Sequence, residues 1–416
     1  MAIEILKKEE FQQFVDSQPR NCFIQTSYMY DSQVSRNQES WIVGIKDKDG
    51  IVCAGIVVLN SMKFGLKNAS LVYGPVMDYN KTELLELFIK ELEKYLKKKR
   101  VLSLLIAPNI EAASYDDDFN PTPLIDTKAV VGSFIACGYE YHGQKIAKMH
   151  NNWIMVKDLK QYESYEDLFE SYSKKTKNRA RKAIENDIVI EEIGYDELKR
   201  FYTIEEHTSE TREFKARNLS YFQSVYRAFE NVKGVRVVIA KVNLKKLFDQ
   251  SKEKLDDAQK EVNTVSDLIA ENDTPRNQKK LNAAMDVYNS AKKQYEQLRV
   301  LRDKYPQEWV DTATRFYCTY GNEVVCIAGG ALMDFDFLQS TVAIYVDTLK
   351  WAYEQGYDRY NYFGIYTEDD KVGEVSPILH FKKGFGGEII NLIGTFEKTI
   401  NPSLNKLYST IKKVIR

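Results

Sequence analysis

Long apolar runs are missing from the 416 residues. No stretch approaches the roughly 18 consecutive apolar residues that a bilayer-crossing helix needs, so an integral membrane protein is not expected. The opening MAIEILKKEEFQQF carries acids and no apolar core. No secretory signal is visible there, and the expected location is the cytoplasm. Cysteine is scarce: Cys22, Cys53, Cys137, Cys318 and Cys326 are scattered, with no CxxC. An odd, dispersed set points to reduced thiols, against a disulfide framework and a zinc ribbon. The four histidines, His142, His150, His207 and His380, lie too far apart for a HExxH-type site, so no metal is expected. Neither GxxxxGK[ST] nor a strand–GxGxxG–helix occurs, so no nucleotide cofactor is expected. An excess of one charge is missing too, with 59 basic against 60 acidic residues and a formal net charge of −1. Nonspecific coating of DNA is thereby disfavoured, and any contact with a polyanion has to come from a local patch.

What is present is the mix of a globular protein, 44% apolar and 29% charged, long enough for two or three domains. In the first 150 residues WIVGIKD, IVCAGIVVLN and ASLVYGPV read as strands, broken by turns at KDKDG and FGLKN. KTELLELFIKELEKYLKKKR reads as an amphipathic helix with Leu84, Leu85, Phe88, Leu92 and Tyr95 at helical spacing. VLSLLIAP (101–108) reads as a buried strand. From 153 the theme returns: a strand WIMVKDL, helix 163–183, strand IVIEEI, helices 196–210 and 218–230, and strand VRVVIAKV. A hairpin turning at Gly321-Asn322 within 313–332, helix 338–355, strand RYNYFGI and the glycine-rich FKKGFGG follow.

Residues 244–305 differ in character. Leu244, Phe248, Ser251, Leu255, Ala258, Val262, Val265 and Ile269 step by alternating fours and threes, and Leu281, Ala284, Tyr288, Ala291, Tyr295 and Leu298 resume after Asn272-Asp273-Thr274-Pro275. Such heptads in two arms predict an antiparallel helical hairpin, each arm about 40 Å long at 1.5 Å per residue. The expected organisation is therefore α/β (α+β): a first unit over 1–150, a second over 151–243 and 306–416, and a coiled-coil arm over 244–305 inserted in the second. The mixed surface of the arm, 13 basic against 11 acidic residues, suits a solvated coiled coil as well as one that reaches a large partner.

Three segments carry candidate chemistry. SKKTKNRARKAIEND places six cations, Lys174, Lys175, Lys177, Arg179, Arg181 and Lys182, in nine positions. Like charges at this spacing weaken a helix, so an external phosphate is a reasonable partner, a solvated face being the alternative. In EEHTSETREFKARNLSYFQSVY, Arg212 follows Thr208, Ser209 and Thr211, with Phe214, Tyr221 and Phe222 nearby. A guanidinium among hydroxyls and aromatics suits a diphosphate or carboxylate, or a plain helix end. In FKKGFGGEI, Phe381 and Lys382 precede Gly384, Gly386 and Gly387, which read as a strand entering a tight turn. A lysine beside glycines that admit a ligand can stabilise an oxyanion, although a glycine-rich turn alone is a weak signal and a plain turn is the simpler reading.

In this order the elements resemble the FemABX family of aminoacyl-tRNA-dependent transferases, closest to its MurN-like and MurM-like members. The resemblance rests on SKKTKNRARKA, the T-x-x-x-R-x-F and YF motifs, the two-helix insertion, the GNEVVCIAGG hairpin, RYNYFGI and FKKGFGG. It implies two acetyltransferase-like (GNAT-like) domains and transfer of an amino acid from aminoacyl-tRNA to an amine on the stem peptide of lipid II, without metal or cofactor. It assigns Arg212 to the precursor diphosphate, with Thr211 and Tyr221 beside it, Lys382 to charge on the intermediate or leaving ribose, and Phe381 to the pocket wall. The basic helix would meet tRNA phosphate or lipid headgroup, and the arm would grip tRNA. The donor ester is already activated, so no cysteine nucleophile is implied. Many relatives carry a tryptophan and a lysine where FIQTSYMYDSQV offers Met29 and Gln33, and an aspartate where this chain has Ala107. That pattern resembles members adding the second, usually alanine, residue of a branch, to lipid II that is already branched.

A first-step acceptor is a lysine amine with pKa ~10.4 and a second-step acceptor an α-amine near 8, which lowers the demand on a base by ~3 kcal/mol. Glu388 is a stand-in for the missing carboxylate. NPSLNKLYSTIKKVIR sets Leu404, Leu407, Tyr408, Ile411 and Ile415 on one face with Lys406, Lys412, Lys413 and Arg416 beside them. It is a domain cap or a weak contact with the inner membrane surface. The competing functions are a CoA-dependent N-acyltransferase, disfavoured by the missing phosphate loop, and a non-catalytic tRNA or membrane adaptor.

Overall fold

The structure is a computed structural model that describes residues 1–19, 22–116, 118–143, 150–212, 216–366 and 376–415. Along the chain β1 (Glu4–Ile5), α1 (Lys8–Asp16) and α2 (Ser27–Ser35) precede a hairpin of β2 (Ser40–Asp47) and β3 (Gly50–Ser61). Then come β4 (Lys67–Val72), β5 (Val76–Met77), α3 (Thr82–Lys98), β6 (Val101–Ala107), β7 (Glu111–Tyr115), β8 (Pro121–Pro123), α4 (Lys128–Ala136) and β9 (Glu140–Tyr141). The chain continues through β10 (Trp153–Asp158), α5 (Tyr165–Glu170), α6 (Lys174–Glu185), β11 (Val189–Glu192), α7 (Leu198–Thr211), α8 (Leu219–Glu230) and β12 (Val235–Asn243). After α9 (Leu244–Glu271) and α10 (Pro275–Lys304) it closes with β13 (Trp309–Tyr320), β14 (Glu323–Ala328), α11 (Ser340–Glu354), β15 (Arg359–Gly364), α12 (Pro377–Lys383), β16 (Glu388–Leu392), β17 (Phe396–Thr399) and α13 (Pro402–Ile415).

Two mixed sheets result, as the sequence leads one to expect. One runs β1-β2-β3-β4-β6-β17-β9 with β5 on β3, and the other β11-β12-β13-β14-β15-β10-β16-β7-β8. Among the described residues each holds one parallel pair joined through a helix. In the first sheet β4 and β6 are bridged by α3, and in the second β14 and β15 by α11. Parallel neighbours need such a crossover, and its helix covers the sheet. Helix α3 does so with Leu85, Phe88, Ile89, Leu92 and Leu96, buried at helical spacing against the first sheet, and Lys97 and Lys98 suit its C-terminal dipole. The sheets also exchange strands: β7 and β8 join the second, while β17 inserts between β6 and β9 of the first.

Two local expectations are corrected. The helix expected over 163–183 is two helices, because Ser173 starts a new one, its hydroxyl accepting the Thr176 N–H. Residues 381–383 are not strand. Ser376 caps α12 by accepting the Leu379 N–H, Pro377 occupies the first turn, where its missing N–H costs nothing, and the helix ends before Gly384.

The two helices of the insertion pack against each other. Ala258, Val262 and Val265 of α9 and Ala284 of α10 are buried, and the rings of Phe248 and Tyr295 stack at 5.4 Å. Its base belongs to the body. Leu244, Leu247, Leu298 and Leu301 share a cluster with Val242, Val310, Phe335 and Leu338. The Leu244 N–H donates to Glu308 O at 2.8 Å, so the chain enters and leaves side by side. Among the described residues no helix is long and apolar enough to cross a membrane.

Removing residues 252–294 with a short Gly/Ser join keeps the four leucines, and Tm should fall by only a few degrees. Removing 244–305 strips one side from Phe335 and Leu338 and should cost on the order of 5 kcal/mol, hence roughly 10 °C. Thermal unfolding of the two deletions side by side reads the difference, and equal Tm values would refute the account of the base.

Candidate active site

Strands β14 and β15 pair over three residues only, Glu323–Val325 against Arg359–Asn361, yet each runs on by three more. Beyond Asn361 the carbonyls of β15 therefore lack β14 as a partner. Lys382, near the end of α12, takes that place. Its Nζ donates to Tyr362 O and Gly364 O, both at 2.6 Å. An ammonium has three donors, so one remains for a ligand oxygen. Lys382 is buried, no carboxylate lies against it among the described residues, and burial lowers its pKa from 10.5 to about 8. Loss of one proton leaves two N–H groups, enough for both carbonyls. The side chain thus stays anchored in either protonation state.

Aromatic rings and further cations surround it. Tyr345 of α11 contacts Phe381 at 5.4 Å and Phe385 at 5.2 Å between ring centroids. The Arg315 guanidinium lies 5.3 Å from the Tyr345 ring centre, and its Nη1 donates to Thr314 O and Gly330 O at 2.6 and 3.0 Å. Cys326 Sγ is 3.9 Å from the Tyr345 hydroxyl, and burial raises its pKa, which suits a packing role rather than a nucleophile. Arg179 of α6 lies 5.7 Å from the Phe381 ring centre and bonds Gln339. Glu205 of α7 feels the Arg315 charge, and its Oε2 is buried without a hydrogen bond. Burial raises its pKa, and the Arg315 and Arg217 charges pull it back.

The structure thus brings Lys382, Phe381 and Arg179 together. The remaining cations of α6 spread outward, because Thr176, Ala180 and Ala183 form its buried stripe. Lys177 pairs with Glu170 and Arg181 bonds Asn178, while Lys174, Lys175 and Lys182 are exposed. Arg212 follows α7 as an exposed residue with its Nη2 4.0 Å from Met333 Sδ, and the Thr211 hydroxyl donates back to His207 O. Phe214 lies outside the described residues. Tyr221 of α8 has two guanidinium groups against its ring, Arg36 at 4.9 Å and Arg217 at 4.5 Å from the ring centre, and Arg217 also donates to its hydroxyl at 3.0 Å. Neither arginine forms an ion pair among the described residues. Glu388 is exposed in β16 beside β10. Met29 is core, Gln33 is buried with Oε1 unpaired, and Ala107 is buried opposite Val72. The Leu404 and Tyr408 side chains of α13 are half-buried while Leu407 is exposed, which fits a cap.

Arg315, Glu205, Tyr345, Arg36 and Arg217 were absent from the sequence candidates. One signal was available for Arg315, a charge in the middle of the apolar strand ATRFYCTY. The others are set by tertiary contacts. Among the described residues there is no cluster of His, Cys, Asp and Glu able to hold a metal.

Two mixed sheets, each with a crossover helix, define an α/β protein of two related layers. The chain belongs to the FemAB family, whose model matches residues 6–413. It is 26% identical over 421 residues to aminoacyltransferase FemA of Staphylococcus aureus (strain bovine RF122 / ET3-1), covering 98% of both chains. To aminoacyltransferase FemA of Staphylococcus epidermidis it is 26% identical over 430 residues, with the same coverage. The crystal structure of FemX shares the fold, with a TM-score of 0.70 over 99% of this chain and 100% of that one at 18% identity. The protein is an aminoacyltransferase, and the family works in peptidoglycan cross-bridge synthesis.

The buried lysine gives a stability prediction with a definite sign. A pKa lowered by folding means that the unfolded chain binds more protons between pH 8 and 10.5, so stability rises with pH across that window. Relative to Lys382→Met, the wild type should gain roughly 2–3 kcal/mol between pH 7 and pH 10, read by denaturant unfolding of both proteins at both values. A gap that does not change with pH would mean that Lys382 titrates at its ordinary value.

Proposed function

We propose that the protein moves an amino acid, alanine by our reading, from the 3′ ester of aminoacyl-tRNA to an amine on the stem-peptide branch of lipid II. The reading is carried by Lys382, a buried lysine anchored by two backbone carbonyls with one donor to spare. The acceptor nitrogen attacks the ester carbon, a C–N bond forms, and charge collects on the former carbonyl oxygen. The third N–H of Lys382 offsets that charge, or passes its proton to the departing ribose 3′-oxygen as the C–O bond breaks. The acceptor amine loses one proton and the ribose gains one, so protons balance. Phe381 and Tyr345 keep water from the ester. No covalent intermediate on the chain is required, because the donor is already an ester.

The unit divisions drawn from the sequence become roles in this proposal. The opening of the second unit (151–243 and 306–416) holds the reacting ester, and the first unit (1–150) flanks the acceptor. The arm (244–305) reaches along the tRNA. The exposed Lys174, Lys175, Arg181 and Lys182 meet phosphate of the tRNA or of the lipid headgroup. Arg212, exposed and without an acidic partner among the described residues, and the Arg36–Tyr221–Arg217 cluster supply positive charge for the precursor diphosphate. Gln33 and Ala107 offer neither a cation nor a carboxylate, which favours an α-amine acceptor over a lysine ε-amine. The protein would then act, as MurN-like enzymes do, on lipid II that already carries one branch residue, at the inner face of the membrane.

Incubation with alanyl-tRNA and lipid II, unbranched or carrying one alanine or serine, tests this. Product should form with the tRNA and not with acetyl-CoA, faster on the branched acceptor. The ascending limb of kcat/KM should lie near pH ~8, where the α-amine loses its proton. Product with acetyl-CoA alone would make the protein a CoA-dependent acyltransferase, no product with either donor would favour an adaptor, and preference for the unbranched acceptor would refute the second-step reading.

Arg212→Ala should raise the KM for the lipid-linked acceptor by roughly 10- to 100-fold, the loss of a charge-assisted pair, with little change for the tRNA. Arg217→Ala, which breaks the cluster on Tyr221, should act in the same direction. If both variants keep the parental acceptor KM, the diphosphate lies elsewhere.

A further inference from the structure

A second lysine is buried close to the first and has no part in the chemistry above. Lys157, on β10, is 1% exposed and faces no carboxylate among the described residues. Its Nζ donates to Ser171 Oγ and to Phe385 O, each at 2.9 Å. The ring centres of Tyr162 and Tyr172 lie 4.8 and 5.6 Å away, so the ammonium sits against two aromatic rings. Burial lowers its pKa. A lysine held dry without a counter-charge is costly, and a leucine or methionine would fill the same volume at no such cost. General packing therefore does not account for it.

Its two hydrogen bonds account for it better. Phe385 follows Lys382 by three residues, just past the end of α12, and Ser171 immediately precedes the segment that starts α6. The same two segments meet a second time where the Ser173 N–H donates to Gly384 O at 2.9 Å. The turn is shaped around the ammonium. Gly386 has φ of +75°, and a Cβ there would lie 2.9 Å from Lys157 Nζ. Phe385 in turn packs on Tyr172, Phe381 and Tyr345. One buried cation thus connects the helix that carries Lys382 and Phe381 to the helix that sets Arg179 over the Phe381 ring.

We propose that Lys157 is a positioning residue of the transfer site: by holding Phe385 O and Ser171 together it fixes α12 against α6, and so aims the free N–H of Lys382. The proposal rests on the role given to Lys382, and its test is chosen to separate the two. Lys157→Met removes both donors at similar volume, and Lys157→Gln restores an amide donor without charge. In the folded full-length protein kcat should fall roughly tenfold or more for the methionine variant, with KM for tRNA and acceptor within about twofold, since a small misplacement of a reacting group costs that much. The glutamine variant should recover part of the loss. A second readout needs no turnover. Trace labelling of amines with acetic anhydride at a series of pH values, followed by mass spectrometry of the Lys382 peptide, should give a midpoint near 8 in the wild type and a higher one in Lys157→Met. A methionine variant with parental kcat and parental midpoint overturns the proposal. So does a loss of activity that merely tracks the folded fraction while the Lys382 midpoint stays near 8. If Lys382→Met itself retains full kcat, the reading of Lys382 fails instead, and the labelling shift still reports whether Lys157 sets its environment.

Discussion

The structure turns on two parallel strands that separate after three residue pairs. Backbone carbonyls in a protein interior need donors, and parting a sheet in its middle leaves some without. In the second sheet the missing donors come from a side chain, and because that side chain is a lysine, satisfying the backbone also installs a reactive amine. The first sheet, built with the same crossover, shows the alternative. Its parallel pair stays together from Lys67–Val101 to Val72–Ala107, and the next residue, Tyr73, still donates to Ala107 O. Among the described residues no buried lysine takes a place in that ladder. At this parallel pair the two sheets differ in the length of the ladder.

Charge distribution follows from the same fact. Lys382 and Lys157 are withdrawn from water and Arg315 is half-buried, and among the described residues all three donate to backbone carbonyls rather than to acids. An interior built on carbonyl acceptors keeps its net positive charge, whereas salt bridges would cancel it. Glu205, close to Arg315 with one oxygen unpaired, is the exception, and burial disfavours its ionised form. A site of this kind is ready for negative charge that appears only during the reaction, which is the condition for stabilising a transition state more than a ground state.

Much of this was legible in the residues, because the informative patterns are local. Heptad stepping with a break at Asn272–Pro275 defined two arms, and the observed helices end at Glu271 and resume at Pro275. Alternation around Gly321-Asn322 defined a two-residue hairpin, and β13 and β14 meet there. Errors arose where capping chemistry overrides apolar spacing, as at Ser173 and at Ser376-Pro377. Lys382 and Phe381 could be singled out by their neighbours in sequence, but not the carbonyls that hold the lysine, which come from residues 18 and 20 positions earlier. Arg36 and Arg217 lie far apart in the chain, and only the packing of α2 on α8 brings them to one ring. The strand exchange was not readable either, since β7, β8 and β17 are short and any edge of suitable pattern could have taken them.

That exchange has a consequence for how the protein is made. The ribosome delivers the chain from the amino terminus, yet β6, the apolar strand Val101–Ala107, waits for its neighbour β17 until residue 399 has been synthesised. At about 5–20 residues per second the delay is on the order of 15–60 s, far longer than a hairpin takes to form. For that interval the nascent first sheet presents an unpaired apolar edge, the kind of surface on which chains associate wrongly. β7 and β8, already made, have no sheet of their own until β16 appears at residues 388–392. Residues 388–399 therefore act as a clasp for both halves, and a polypeptide that stops short of them should need a chaperone's protection more than its length suggests.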